Sequence, residues 1–274
     1  MTFHLSSLTS AQISKKIKSK HGQGNGSNYQ PWLNIQELHS TGRSHRVYSH
    51  KTQRIHHLAS DLELSFFLML DWSSSVLDIR ERFPFDPGVA QDIAKEAKLS
   101  YPIQDGVPQV LYSDFLVDAK FGCNEQFVIN VRPLSSLAKK EVISRLELER
   151  RYWLSKGIKL FIATEKEVDT TVLKNIEKLA PYFHNMEGGK ELLSQVSIFQ
   201  QQLEKYPNSS VVKVCKTIDK AYDLALGESL AQFKILLAIR VINFDVRVPI
   251  NNLVLKDLVF KTGLEWIGEH YVAN

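Results

Sequence analysis

The stretch "YSDFLVDAKFGCNEQFVINVRP", residues 112–133, reads as two strands joined by a short polar turn. It sets Asp114 early in the first strand, and Asn130 and Arg132 late in the second. Strand alternation sends Phe127, Ile129 and Val131 to one side and Val128, Asn130 and Arg132 to the other. A strand with an amide and a guanidinium on one side either has that face in water or turns it toward something charged. Phosphodiester hydrolysis is a chemistry such a face could perform. It needs an oriented water molecule and relief of negative charge, which carboxylates holding one or two magnesium ions supply and a nearby cation assists. A common layout is a helix carboxylate, an acid on the first strand of a hairpin, then polar and basic residues on the second. Glu63, Asp114, Asn130 and Arg132 take those places in order.

Each residue also has a plainer reading. Ser60 followed by Glu63 is a capping box, which by itself accounts for the glutamate. Asp118 competes with Asp114 for a metal role, and Asn130 and Arg132 suit a wet strand surface.

The elements that must position these residues follow from periodicity. "SDLELSFFLMLDWS" predicts a helix whose buried stripe is Leu62, Phe66, Met69 and Leu70. "SVLDIRERFPF" is a strand ended by Pro84, and "GVAQDIAKEAKL" is weakly helical. After the hairpin, "SSLAKKEVISRLELERRYWLSKG" is a long helix closed by Gly157, and "IKLFIAT" is an apolar, buried strand. Strand, helix, strand at this spacing predicts a right-handed crossover onto a parallel neighbour. The N-terminal half is therefore an α/β mixed sheet with flanking helices.

"TEKEVDTT" marks a boundary, giving domains 1–167 and 168–274. Beyond it lie the helical patterns "VLKNIEKLAPYF", "KELLSQVSIFQQQLEKY", "SVVKVCKTIDKAYDLAL" and "SLAQFKILLAIRV". "INFDVRVPI" and "NNLVLKDLVFK" then suggest a small hairpin. Two helices followed by a hairpin outline a winged helix, although a small all-helical docking domain would look similar.

The 274 residues and 31.3 kDa suit two domains, and 43% hydrophobic residues allow each a core. No apolar run reaches membrane-spanning length, and the start of the chain is too short in apolar residues for a secretory signal. Cys123 and Cys215 suggest neither a zinc knuckle nor a disulfide framework, which fits a reducing cytoplasm. Charge is unevenly spread. Residues 1–60 hold eight Lys and Arg against Glu37 alone, so the remainder of a chain of net charge +4 is acidic. Seven of the nine histidines share that segment. A polyanion such as DNA is the simplest partner, a solvated basic arm the alternative. Within it, "GRSHRVYSHKTQRIHHLAS" reads as two short strands around a turn. Arg43, His45, Arg46, His50, Lys51 and Arg54 are its candidate DNA contacts. Its four histidines at 45, 50, 56 and 57 lack cysteine or carboxylate at ligand spacing, so phosphate contact is preferred to a metal site. Gly22, Gly24 and Gly26 form a flexible loop rather than a dinucleotide fingerprint, since no strand precedes them and no helix follows.

The run "GQGNGSNYQPWLNIQELHSTGRSHRVYSHKTQRIHHLASDLELSFFL" resembles the TnsA family, the endonuclease subunit of heteromeric cut-and-paste DNA transposases. So do "SSVLDIRERFPF", "SDFLVDAK", "LELERRYW", "VCKTIDKAYDLALGESL" and the closing "YVAN", in order and over nearly the whole chain. The resemblance implies a restriction-endonuclease-like N-terminal domain and a winged-helix-like C-terminal domain. It implies cleavage of the 5′ ends of a transposon, with a TnsB-type transposase cutting the 3′ ends and a TnsC-type AAA+ ATPase regulating both. Magnesium, as two ions, is the cofactor it implies. It carries the helix glutamate onto Glu63 and the strand aspartate onto Asp114, with Asn130 and Val131 completing the metal-holding set. The family's glutamine and lysine are replaced by Asn130 and Arg132. The shorter amide matters little if the backbone carbonyl there binds the ion. Arginine keeps the charge but not a lysine's readiness to lose a proton. Two other functions therefore stand beside the active subunit: an impaired nuclease kept for binding DNA and partners, and a stand-alone restriction-like nuclease.

Overall fold

Ser60 starts a helix because its hydroxyl accepts the Glu63 N–H, and Ser73 ends that helix over the carbonyls of Met69 and Leu70. Local signals of this kind fix most of the chain. The computed structural model describes residues 7–38, 43–183 and 189–260. The chain divides into two units, Met1–Val168 and Asp169–Asn274.

In the first unit, α1 (Ser10–Lys18) is opened by a Thr9–Gln12 capping box. A hairpin follows, β1 (His45–Ser49) and β2 (Arg54–Leu58), paired from His45↔Leu58 to Ser49↔Arg54. Next come α2 (Asp61–Trp72), β3 (Val76–Pro84) and α3 (Pro87–Glu96), the last capped by Asp86. A two-residue pair, β4 (Ile103–Gln104) and β5 (Val107–Pro108), leads to β6 (Tyr112–Phe121) and β7 (Cys123–Val131). Helix α4 (Lys140–Ser155) ends before Gly157, which adopts φ +70, and β8 (Lys159–Ala163) closes the sheet.

The sheet order is β3-β6-β7-β8, antiparallel except for the parallel β7–β8 pair that the crossover spacing predicts. This is a mixed α/β architecture. Its core joins Phe85, Ala90, Leu111, Leu116 and Val128 to Leu148, Tyr152 and Trp153, so α3 and α4 seal one face of the sheet. Two sequence expectations change. Strand β8 is an edge strand with Phe161 and Ile162 exposed, not a buried one, because among the described residues it pairs with β7 alone. Helix α2 buries Glu63, Phe66, Phe67 and Leu68, a stripe rotated from the expected one so that Glu63 faces inward.

The segment before the hairpin is fastened to the end of β3. Gly22 at φ +78 lies so close to Pro84 that an added Cβ would sit 2.1 Å from its ring. The Trp32 N–H donates to the Arg82 carbonyl at 3.2 Å, and the Tyr29 hydroxyl to that of Glu81 at 2.9 Å.

The second unit contains α5 (Thr170–Leu179), α6 (Gly189–Lys205), α7 (Val211–Ala221) and α8 (Glu228–Ala238). The α7–α8 turn is held by Asp219, whose carboxylate accepts the N–H groups of Gly227 and Ser229. Strands β9 (Ile242–Asn243) and β10 (Val259–Phe260) pair antiparallel. The expected hairpin is thus only two residues deep, with 3₁₀ turns at 250–252 and 255–257 between its arms. The closing "YVAN" lies outside the described residues.

Candidate functional site

Strands β6 and β7 pair as far as Phe115↔Ile129 and then part. Asp114 fills the opening. Its Oδ2 accepts the Val131 N–H at 2.8 Å, doing the work of a strand carbonyl, and takes Nη1 of Arg132 at 2.9 Å. The same Nη1 donates to the Val131 carbonyl at 2.6 Å. Strand alternation also slips here. Ser113 and Leu116, three residues apart, both reach α4: Leu116 through the core, Ser113 through hydrogen bonds to Glu149 and Trp153.

Asp118, the sequence's rival to Asp114, is committed elsewhere, to Arg80 and the Gln126 amide.

Glu63 sits on the first turn of α2. Its carboxylate does not close the expected box on Ser60. Instead Oε2 accepts the Ala59 N–H at 2.8 Å and Nη2 of Arg82 at 2.9 Å. Arg82 reaches it because its backbone is left-handed, at φ +50, between the register pairs Glu81↔Phe115 and Phe83↔Ser113. Consecutive side chains therefore work together: Glu81 meets β2 while Arg82 meets α2.

Asn130 does not point to water. It is fully buried, and its Nδ2 donates to Oε2 of Glu149 at 2.7 Å. The charged thing behind the polar strand face is thus Glu149, 1% exposed on α4, with Oε1 taking the Ser113 hydroxyl at 2.6 Å. Glu149 is the residue that sequence reasoning missed. "LELERRYW" looks like a solvated, charged helix, yet Glu149 shares the face of Leu146, Tyr152 and Trp153, a spacing that could have given it away. Burial pushes its carboxyl up to about 7; the Ser113 bond opposes this and the Asp114 charge adds to it. Arg145, one turn earlier and over the Tyr112 ring at 5.7 Å, also acts on this group.

A raised carboxyl has a definite linkage sign. The folded state holds the extra proton, so this contribution to stability is whole below about 4.5 and is lost as pH rises through about 7. The loss by pH 8 is about 3 kcal/mol. Melting curves in chelator should show wild type losing more than Glu149→Gln between pH 5 and 8. Equal slopes would mean that the proton is not held there.

The basic segment divides into inner and outer parts. Arg54 is a correction to the expected DNA-contacting set: its fork lies inside, on Glu81 at 2.8 and 2.6 Å and on the Ile79 carbonyl. Lys51 is another, its ammonium sitting on the carbonyls of Ser73 and Val76 behind α2. His45 meets Asp61 at 2.6 Å. Arg43, Arg46 and His50 remain on the exposed face, with Tyr48 edge-on to His50 at 4.9 Å. Burial alone would raise the Glu81 carboxyl, but His56 and Arg54 hold it far below the usual range.

The cluster suits a hard cation in its chemistry. Among the described residues, the Ala59 and Arg82 bonds to Glu63 fall on Oε2 and the Val131 and Arg132 bonds to Asp114 on Oδ2, so that Oε1 and Oδ1 are the oxygens turned toward an ion. The buried Asn130 Oδ1 has no hydrogen-bond partner. Among the described residues no three His, Cys, Asp or Glu side chains gather around one point. An ion here would take two carboxylates, an amide or backbone carbonyl, and water, as magnesium commonly does.

Two family models match the chain. One, described as TnsA-like endonuclease N terminal, covers residues 73–165; the other, TnsA endonuclease C terminal, covers residues 167–246. The chain is also 45% identical over 269 residues to the Transposon Tn7 transposition protein TnsA of Escherichia coli, spanning 98% of each sequence.

Proposed function

Because this chain belongs to the TnsA endonuclease family, we propose that it is the endonuclease subunit of a heteromeric transposase, cutting the 5′ ends of its transposon by magnesium-dependent hydrolysis. The observation that carries this reading is the set of acids where β6 and β7 part: Asp114 in the opening, Glu149 joined to the same two strands through Ser113 and Asn130, and Glu63 joined to the neighbouring strand β3 through Arg82.

Glu63 and Asp114 would hold the metal through their open oxygens, with Asn130 or the Val131 carbonyl beside them. When bound, magnesium relieves phosphate charge and lowers the pKa of an attacking water. The chain's own residues do the rest. Ala59 and Arg82 orient Glu63, and the Val131 N–H orients Asp114. Arg132 brings a guanidinium, which suits it as a clamp for phosphate charge and not as a base. Arg43, Arg46 and His50 supply exposed basic contacts for DNA. In the second unit, α7, α8 and the β9–β10 pair support a winged-helix-like module for DNA or partner contact. A TnsB-type transposase and a TnsC-type ATPase are the partners this reading requires. No described helix is long and apolar enough to cross a membrane.

A second reading has its own observation. Arg132 lies on Asp114 and the Val131 carbonyl, two of the oxygens an ion would need, so the site could be impaired in cutting and kept for binding. The test is strand-specific cleavage of transposon-end DNA with the TnsB-type partner and magnesium, for wild type and Arg132→Lys. We expect 5′-strand cutting by wild type, changed less than about tenfold by the substitution. Uncut 5′ strands with wild type would sink the nuclease reading, and a large gain with lysine would favour impairment.

A further inference from the structure

Arg82 is 1% exposed and bonded through Nη2 to Glu63, while Nε and Nη1 have no hydrogen-bond partner. Its backbone sits at φ +50, where side-chain-bearing residues are uncommon, and the Trp32 N–H holds its carbonyl there. Stability alone accounts poorly for such a residue. A buried ion pair seldom repays its desolvation, two unsatisfied donors add to that cost, and the left-handed backbone adds more. Costs of this kind concentrate at functional sites. What the arrangement achieves is a guanidinium held against Glu63, with Asp114 near enough to act on its charge. Arg132 does the same at Asp114, so each of the two acids carries its own arginine.

We propose that Arg82 is a positioning residue that serves as the internal counter-cation of Glu63 in the metal-free protein, so that a divalent cation must compete with its guanidinium for the carboxylate. The inference rests on Glu63 and Asp114 being the metal-holding acids. It follows that the empty cluster is nearly neutral and that a dication entering alone overcharges it. An incoming DNA phosphate restores the balance through its charge, without touching the buried guanidinium. Metal and DNA then enter together, and the site stays idle without DNA.

The test is calorimetric titration of the full chain with Mn²⁺, without DNA. Arg82→Gln removes the charge but keeps an amide donor for Glu63, and should tighten Mn²⁺ binding by about tenfold or more. Arg82→Lys keeps the charge and should stay within about threefold of wild type. Asp114→Asn should abolish binding in both backgrounds, which locates the ion. Melting curves in chelator establish that each variant is folded. A folded Arg82→Gln variant with unchanged or weaker affinity overturns the inference alone, provided binding still depends on Asp114. Absence of any Asp114-dependent binding overturns this inference and the metal reading together. Wild type gives an independent measurement: the Nε–Hε resonance of Arg82 should move as Mg²⁺ is added, and a stationary resonance at saturation also overturns the proposal.

Discussion

Replacing Asp114 by asparagine should lower 5′-strand cleavage in the reconstituted complex by about a thousandfold or more. The substitution keeps the size of the side chain and an oxygen able to accept the Val131 N–H, so the local backbone has no reason to move. It removes the negative charge that would anchor the metal, and that loss cannot be met by neighbours. Glu149 is fully engaged by Ser113 and Asn130, and Glu63 is held by Ala59 and Arg82. A second consequence must be separated from the first. Arg132, 5% exposed, loses its ion-pair partner, which costs about 3 kcal/mol or more of stability. Cleavage should therefore be measured alongside thermal melting, at a temperature where the variant is fully folded. If activity of the folded variant stays within tenfold of wild type, Asp114 does not hold the metal. Excess Mn²⁺ should not rescue it, because without the carboxylate the site no longer holds the ion.

How far the sequence leads depends on which contacts are local. The hairpin of β6 and β7, the crossover through α4 and the Ser60 hydroxyl that opens α2 are set by alternation, spacing and residues three apart, and all are legible. The choice between Asp114 and Asp118 rests on the family resemblance, because the strand pattern alone does not separate them. Both lie on β6, but Asp118 pairs with Gln126 inside the ladder, while Asp114 lies past its last pair, Phe115↔Ile129, and across from the left-handed Arg82. A left-handed arginine leaves no mark in a one-dimensional pattern. Glu149 was hidden for a related reason. Its partners Ser113 and Asn130 are 36 and 19 residues away, and a buried glutamate on an otherwise charged helix looks solvated until they are placed. The basic segment misled in the opposite direction. Charge counting treats Arg54 and Lys51 as equal to Arg46, although the first two are consumed inside the protein. Only the exposed remainder can release counterions from DNA.

Glu81→Ala should destabilise the protein by about 3–5 kcal/mol, enough to lower the melting midpoint by about 10 °C in a unit of this size. Glu81 is wholly buried and accepts four hydrogen bonds: Arg54 Nη1 and the His57 N–H on Oε1, Arg54 Nη2 and His56 Nδ1 on Oε2. Alanine removes all four and leaves the guanidinium buried, stacked over Tyr29 at 5.0 Å, with the Ile79 carbonyl as its remaining acceptor. The cost is that of a stranded charge, not the net worth of the pair. Arg54→Met combined with Glu81→Met should accordingly recover most of the loss, while His56 keeps its bond to Thr52. A double variant as unstable as Glu81→Ala would mean that shape, not charge, sets the cost. The pH dependence distinguishes the two again. With its folded pKa depressed, Glu81 contributes stability that is present above about 4.5 and lost as pH falls toward the lower folded value. The gap between wild type and Glu81→Ala should therefore narrow in acid. The consequence for function is local. Glu81 joins the hairpin bearing Arg46 and His50 to β3, one residue before Arg82. Loosening it releases the exposed basic contacts and the positioning arginine together, so DNA affinity and Mn²⁺ affinity should change in the same variant.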